Sequence, residues 1–430
     1  GLGLDLRRRA GPAFAPDPGM KVHACGALGL VGLLRGLVAY ALAPSRSIWR
    51  ERFRSGFAAS LGVPTDHVWI YGAGRSALHQ FVVSLGLEPQ AEVLLPGYTC
   101  VVVPNVFAHL GLPVRYVDIA PGSFNCDCQT VAQAISAQTR VVVLPHNFGL
   151  AMEGIAQLRE RFPAVVFIED AAHAWGSCDA SGRPLGTLAH ASFFSFEYAK
   201  CLTTALGGAL VVNDPSMRQR FANRWQPGAE PGTRALASRL ATLLYHLSVA
   251  RAPAGVRRML DGLLRAPARA LGLVAGTATA ELQGQTRPVY GDEMHDLFAA
   301  IGAVQLRAAE QLQAQRRAQT RDYAEVLRGS RRCSVPQAPA SACLLRFPVV
   351  MADPADRGQA AAALQAIGIE PGWWFDDVVH PKGSVRYGYL AGDCPHGEAL
   401  AQRMLNLPLG RHAGLSPAQR LALREWAQAG

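Results

Sequence analysis

The chain has 430 residues, of which 50% are hydrophobic and 17% are charged, as is typical of a globular protein with a large core and two or three domains. Its nine cysteines form no CxxC pair, which argues against a disulfide framework and favours reduced thiols in the cytoplasm. The net charge is +10, but zinc-finger spacing and a basic arm are both missing, so we expect no nucleic-acid partner. Three explanations of the positive charge remain: binding of phosphorylated small molecules, binding to a membrane surface, or a basic face that is simply solvated.

Residues 1–44 are predicted to be an N-terminal extension. The first 19 residues are irregular and carry three consecutive arginines, which indicates a disordered leader. The apolar stretch 24–44 has the composition of a signal peptide or an anchor. Because Arg35 lies in its middle, a packed or interfacial helix is favoured over a cleaved signal.

From residue 47 onward, short apolar strands alternate with helices. Helical spacing is found at 48–62, 75–87, 104–112 and 154–162. Strands are predicted at 67–74, 92–99, 113–119, 140–149, 164–173 and 208–214. This alternation predicts βαβ units and a mostly parallel sheet covered on both faces.

An apolar, arginine-bearing helical stretch at 235–271 lies within a predicted insertion, residues 226–290. Its leucines share one face, so it is either an interfacial helix at a membrane or a cap packed on the core or on a partner. The insertion belongs to a predicted large domain, residues 45–290.

The C-terminal part, residues 291–430, is predicted to be a smaller α+β domain. Its elements are a long helix at 294–327, a strand at 344–351, a helix at 356–369, and at 395–409 a helix that runs into an extended stretch. The stretch GWWFDDVVHP, residues 372–381, either supplies aromatic and acidic contacts to a substrate or belongs to the core.

Lysine is rare in this basic chain. Lys21, Lys200 and Lys382 are its lysines, and the other 39 positive side chains are arginines. Arginine keeps its charge at any workable pH, whereas a lysine becomes a nucleophile once burial lowers its pKa. Lys200 is therefore a candidate for covalent chemistry, and the alternative is a lysine placed there by chance.

The stretch IEDAAHAWGS, residues 168–177, follows a predicted buried strand. Asp170 should emerge at the carboxyl end of that strand, where open α/β sheets bind ligands. A carboxylate there can keep a pyridine nitrogen protonated, which makes pyridoxal 5'-phosphate (PLP) an electron sink. His173 can bond another ring substituent. The alternative is an aspartate that caps the next helix.

The stretch YGAGRSALHQ, residues 71–80, lies between a predicted strand and a predicted helix. Its G-x-G-x-x-A pattern fits a dinucleotide-binding turn, but helix N-terminal N–H groups bind any phosphate. Gly74 would allow the close approach, and Arg75 or Ser76 could add a donor. A plain strand–turn–helix junction is the third interpretation.

Ser195 precedes Lys200 by five residues and can donate to the same phosphate, unless it is an ordinary loop serine. A phosphate cradle, a carboxylate, a serine and a lysine then follow one another in the chain. Together they fit PLP, whereas a nicotinamide enzyme explains only the cradle.

The chain resembles the DegT/DnrJ/EryC1/StrS family of PLP-dependent sugar aminotransferases over roughly residues 45–225 and 290–425. The Asp-Ala-Ala-His motif and the Ser-x-x-x-x-Lys pair, in this order and spacing, are the most specific part. The matching stretches are GRSAL (74–78), EVLLPGYTCVVVPN (92–105), LPHNFG (144–149), IEDAAHAWG (168–176), SFFSFEYAKCLTTALGGALVVND (192–214), AAIGAVQL (299–306) and LNLPL (405–409).

The resemblance implies an α/β protein with the PLP-dependent transferase fold type I. This fold has a large domain, whose mostly parallel sheet is covered by helices, and a smaller C-terminal α+β domain. The active site would lie at a homodimer interface. By position, Lys200 matches the lysine that bonds the cofactor aldehyde, and Asp170 matches the partner of the pyridine nitrogen. His173 matches the residue that contacts the ring hydroxyl. Ser195 and Ser76 match residues on the phosphate side.

The sequence departs from the family pattern at three positions, and its segment 226–290 is longer and more apolar than we expect for the family. Cys100 stands where the family usually has an aromatic residue that stacks on the cofactor ring. Arg75, after the cradle glycine Gly74, stands where a threonine is usual. The family's Asn-x-Arg segment, donated by the partner subunit, would align near residues 290–294 and is missing. The sequence therefore does not show which residues make the cross-subunit contacts with the phosphate and with the substrate carboxylate.

We therefore predict a PLP-dependent aminotransferase that moves an amino group from L-glutamate to a nucleotide-linked keto-sugar, for cell-surface polysaccharide or related amino-sugar biosynthesis. The expected protein is a cytoplasmic homodimer without a metal site, with peripheral membrane contact through 24–44 or 235–271. The alternatives are an aminotransferase for a lipid-linked or non-sugar ketone at a membrane, and a non-catalytic regulatory or binding protein on the same fold.

Overall fold

The computed structural model describes residues 28–45, 47–248, 279–288, 290–411 and 413–429, together with residues 259, 263 and 277. The predicted leader at 1–19 and most of the predicted helical stretch beyond 248 lie outside these residues. Within the described residues, no helix combines the length and the hydrophobicity that a membrane span requires.

The N-terminal half alternates helices and strands as the sequence predicts. Its helices are α1 (Leu30–Ala41), α2 (Ile48–Leu61), α3 (Gly74–Leu85), α4 (Val102–His109), α5 (Cys128–Ala134), α6 (Ile155–Arg161), α7 (Pro215–Arg224) and α8 (Thr233–Ser248). Its strands are β1 (Val68–Tyr71), β2 (Glu92–Pro96), β3 (Thr99–Cys100), β4 (Val114–Val117), β5 (Thr139–Pro145), β6 (Val166–Asp170), β7 (Ala191–Ser195) and β8 (Gly208–Val212).

The C-terminal half holds the remaining elements. Its helices are α9 (Thr279–Leu282), α10 (Asp296–Leu306), α11 (Ala309–Val326), α12 (Arg357–Ala366), α13 (Pro395–Arg403) and α14 (Pro417–Gln428). Its strands are β9 (Cys333–Ser334), β10 (Phe347–Met351), β11 (Val379–His380) and β12 (Met404–Leu407).

A seven-stranded sheet in the order β1-β8-β7-β6-β5-β2-β4 forms the centre of the described molecule. Strand β8 runs antiparallel to both of its neighbours, and the other pairs are parallel. All five residues of β8 are buried, as expected where both faces of a sheet are covered. The predicted mostly parallel sheet is confirmed. Strand β7 was not among the predicted strands, because its residues were recognised only as part of an aromatic motif.

Two glycines bring the start of α3 directly onto the ends of β7 and β8. A Cβ atom on Gly74 would lie 2.8 Å from the carbonyl oxygen of Phe194, and one on Gly208 would lie 2.3 Å from the Gly74 nitrogen. A side chain at either position would push the helix off the sheet. The N-terminus of α3 is therefore held beside Ser195.

Helix α1 packs closely on α10. A Cβ atom on Gly36 would lie 2.8 Å from Cγ1 of Ile301, so the backbone of α1 at Gly36 packs directly against the Ile301 side chain of α10. The packed helix predicted for this region is thus present. Its other face is apolar and open, with exposed side chains at Leu30, Val31, Leu34, Val38 and Leu42.

The predicted long helix at 294–327 is wrong, because the structure divides it into α10 and α11. Buried residues of α10, such as Phe298 and Ile301, belong to the same apolar cluster as α2. Tyr323 and Val326 of α11 belong to the cluster around the smaller antiparallel sheet β12-β10-β9. The chain turns between the helices because the two segments pack in different cores. The domain limits at 44 and 290 stay predictions.

Candidate functional site

Lys200 lies in the turn that follows β7, close to the carboxyl ends of β6 and β7. Its side-chain nitrogen is 5.2 Å from the centre of the Trp374 ring. Among the described residues, this nitrogen has no hydrogen-bond or ion-pair partner. Burial lowers the pKa of Lys200, and the charges of Glu197, Cys100 and Asp170 offset part of that effect. The amine is therefore available for chemistry.

Asp170 is the last residue of β6, as predicted. Its Oδ1 accepts a hydrogen bond from Ala172 N at 3.1 Å, and within the described residues Oδ2 accepts none. Burial raises the pKa of Asp170, while the Ala172 N–H and the charge of Lys200 lower it. Residues 171–176 form turns, so Asp170 does not cap a following helix. One carboxylate oxygen is left for a ligand.

His173 is buried three residues further on. Its Nδ1 lies 3.2 Å from the Phe148 N–H, which can only donate, so Nδ1 is the acceptor and Nε2 carries the proton. Burial holds the pKa of His173 well below its usual range, and the charges of Lys200 and Arg346 act in the same direction. A neutral histidine with a free Nε2–H donor is what a ring oxygen of a ligand requires.

The first turn of α3 and Ser195 meet as the sequence predicts. A Cβ on Gly74 would lie 3.2 Å from Cβ of Ser195, and Ser76 is buried in the same turn. The first N–H groups of a helix have no intrahelical acceptor, so Gly74 and Arg75 offer donors to an anion. The guanidinium of Arg75 turns aside to pair with Glu281 at 2.8 Å.

Cys100 lies close enough to Lys200 and Asp170 to interact with both electrostatically. Burial raises the pKa of its thiol, while the charge of Lys200 lowers it. Strand β3 pairs with β11 so that Cys100 stands opposite His380. The His380 ring is 5.1 Å from the Phe375 ring and 6.2 Å from the Trp374 ring, measured between centroids. Aromatic side chains near position 100 therefore come from the segment 372–381.

Sequence reasoning missed two charged groups of the site, Glu197 and Arg346. Burial raises the pKa of Glu197, and the charges of Lys200 and Arg346 lower it. Burial lowers the pKa of Arg346 to about 10, so this guanidinium stays charged at neutral pH. One available signal was an arginine at the start of the apolar run LLRFPVVM, residues 344–351.

These groups match the polar atoms of PLP one by one. Lys200 presents an amine without a partner, and Asp170 presents an oxygen without a hydrogen bond from the described residues. His173 presents an N–H donor, and the start of α3 with Ser195 presents donors for a dianion. The residues present therefore fit this cofactor.

Comparison with known proteins agrees with the site. The chain is 30% identical to the GDP-perosamine synthase of Caulobacter vibrioides over 184 residues, which are 42% of this chain and 48% of that protein. The chain thus matches about half the length of this curated relative. Its fold is similar to that of DesI, whose structure was solved in the presence of its TDP-sugar product. The TM-score is 0.68, the sequence identity is 23%, and the match covers 95% of this chain and 93% of that chain.

A Streptococcus pneumoniae relative solved in its PLP form has the same fold, with a TM-score of 0.68, 19% identity, and coverage of 93% of this chain and 95% of that chain. The predicted fold type is therefore confirmed. The model of the DegT/DnrJ/EryC1/StrS aminotransferase family, whose members depend on PLP, matches residues 49–422. The chain therefore belongs to the DegT/DnrJ/EryC1/StrS aminotransferase family.

Proposed function

We propose that this protein is a PLP-dependent aminotransferase that makes an amino sugar. The observation that carries the proposal is the amine of Lys200, which has no hydrogen-bond or ion-pair partner among the described residues, close to the half-buried Asp170, in a chain of this family. The proposed acceptor is a keto-sugar linked to a nucleotide, and the proposed donor is L-glutamate. The names of the GDP-perosamine synthase and of the DesI complex support a nucleotide-linked acceptor, as does the net charge of +10.

The residues have distinct roles in this proposal. Lys200 would bond the cofactor aldehyde, and Asp170 would hold a proton on the pyridine nitrogen. His173 would donate from Nε2 to the ring hydroxyl, while Ser195 and the first turn of α3 would bind the phosphate. When PLP is bound, it supplies the electron sink that stabilises negative charge on the α-carbon of the donor.

Lys200 would perform the proton transfer in this proposal. The neutral amine takes the proton from the α-carbon of the donor as a general base. The resulting ammonium then delivers a proton as a general acid. Burial lowers the pKa of Lys200, which keeps the amine closer to the neutral form that the first step needs.

Purified protein should show a visible absorbance band of bound cofactor, and it should release 2-oxoglutarate from L-glutamate when a keto-sugar nucleotide is supplied. Lys200→Ala should abolish both signals, whereas Lys382→Ala, at an exposed lysine, should change neither. A band that survives in Lys200→Ala would contradict the proposal. A band without amino transfer to any acceptor would indicate a non-catalytic binding protein.

We also propose that the protein works in the cytoplasm as a homodimer and touches a membrane through α1. The open face of α1 combines five exposed apolar side chains, such as Leu34 and Val38, with an exposed Arg35, which is the pattern of an interfacial helix. Leu34→Glu/Val38→Glu should lose flotation with anionic vesicles but keep its molecular mass in solution. Loss of the dimer with unchanged flotation would assign this face to a second subunit instead.

A further inference from the structure

We propose that Arg346 binds a carboxylate of the amino donor, in place of the Asn-x-Arg segment that this chain lacks. This inference rests on the proposed function, because it assigns a residue to the donor of that reaction. It places the contact on the subunit's own chain, next to Lys200, and not on the partner subunit.

Arg346 is a buried cation without an anionic neighbour in contact. Its residue is 5% exposed, and among the described residues its guanidinium forms no ion pair. Its Nη1 donates to Asn406 Oδ1 at 3.5 Å, at the limit of a hydrogen bond. A charge that is taken out of water without a partner is costly, so such groups are usually paired or bind a ligand. The missing partner is therefore an anion from outside the chain.

Trp374 brings this cation to the catalytic lysine. The guanidinium carbon of Arg346 is 4.6 Å from the centre of the Trp374 ring, and the Lys200 nitrogen is 5.2 Å from the same centre. Both cations also lower the pKa of His173. One small molecule can therefore reach both cations at the same time.

The neighbouring backbone holds Arg346 in this position, and Gly372 leaves space for its side chain. Its backbone directly precedes β10, which pairs with β12 from Phe347 onward. The neighbouring Leu345 donates to the carbonyl oxygen of Phe148, and the Phe148 N–H donates to His173. Gly372 leaves room for the guanidinium, since a Cβ there would lie 2.7 Å from Nη1. The cation is thus fixed relative to the residue that faces the cofactor ring.

Glu197 defines which anion fits. This carboxyl group interacts electrostatically with both Lys200 and Arg346. An inorganic anion would meet attraction from the two cations and repulsion from Glu197. An amino acid carries a carboxylate and an ammonium group on the same molecule, so it can face Arg346 with one and Glu197 with the other. The chemical class of the ligand is therefore an amino acid.

The test compares Arg346→Gln and Arg346→Lys with Arg357→Gln in the holoenzyme. Arg357 is a matched control, because its guanidinium lies 4.8 Å over the Trp373 ring but outside the site. The concentration of L-glutamate that half-bleaches the cofactor band is measured, together with glutarate binding by calorimetry. An alkylamine without a carboxylate serves as a second donor.

We expect Arg346→Gln to weaken both L-glutamate and glutarate about 10- to 100-fold, the usual loss for a charge-assisted hydrogen bond, with the alkylamine unaffected. Arg346→Lys should lose less, since it keeps the charge, and Arg357→Gln should behave as wild type. Unchanged L-glutamate and glutarate binding in Arg346→Gln would overturn the inference. If donor binding is unchanged in Arg346→Gln and the enzyme still aminates keto-sugars, the inference fails but the proposed function stands. If the wild type shows no transamination at all, the proposed function itself fails.

Discussion

His173 Nδ1 accepts a hydrogen bond from the backbone N–H of Phe148 at 3.2 Å. This contact decides the tautomer, because the backbone group can only donate. The other ring nitrogen must then carry the proton, and it is the nitrogen that remains for a ligand. A backbone contact from the turn after β5 thereby leaves the Nε2–H of His173 as the donor of this ring.

We expect His173→Leu to bind PLP about 10-fold more weakly, because it removes this donor and leaves the buried Phe148 N–H without its acceptor. His173→Gln keeps both an acceptor and a donor, so its affinity should stay near that of the wild type. Cofactor affinity is measured by titrating apoprotein and following the absorbance band. Equal losses in both variants would mean that hydrogen bonding at this position does not matter.

Lys200 should make the stability of the apoprotein depend on pH. Burial lowers its pKa below 10.5, so between the folded pKa and 10.5 the unfolded chain binds more protons, and stability rises with pH. Below the folded pKa the full penalty of a buried cation is present. Apoprotein Lys200→Met lacks that penalty, so it should resist urea better than wild type at neutral pH. The difference should narrow as pH approaches 10.5, and a constant difference would contradict the assigned burial effect.

Glu169 should be important for stability and not for chemistry. Its carboxyl oxygens accept hydrogen bonds from three backbone N–H groups in the segment 186–189 and contact His146 Nε2 at 2.9 Å. Glu169→Gln replaces one oxygen with a donor, so we expect a loss of about 2–4 kcal/mol in the free energy of unfolding. Urea titration measures it. The exposed Glu160→Gln is the control and should stay within about 0.5 kcal/mol of wild type.

Gly372 should be intolerant of any side chain. A Cβ there would lie 2.4 Å from Asn406 Oδ1 and 2.7 Å from Arg346 Nη1. We expect Gly372→Ala to displace both groups, to lower the free energy of unfolding by about 1–3 kcal/mol, and to weaken L-glutamate binding. Gly358→Ala, in open space on α12, should be neutral or slightly stabilising. Wild-type donor binding in Gly372→Ala would show that Arg346 does not need this space.

Local motifs were sufficient to select Lys200, Asp170 and His173, which the structure brings close to one another. Their chemistry depends on residue type and on position at the end of a strand, and both can be recognised in a short window of sequence. The alternation of apolar strands with helices was likewise enough to predict the mostly parallel sheet. By contrast, the break between α10 and α11 was missed, because a helical pattern runs through it and only the choice between two cores separates the helices.

Sequence alone therefore determined the family and the class of fold, because each depends on the order of residue types along the chain. Only the tertiary structure decided the tautomer of His173, the position of Gly74 against β7, and the burial of Arg346 without an ion pair among the described residues. The physical reason is that these three properties are contacts, or missing contacts, between segments far apart in the chain. A buried arginine attracts attention only when the structure shows that it forms no ion pair with the described residues around it.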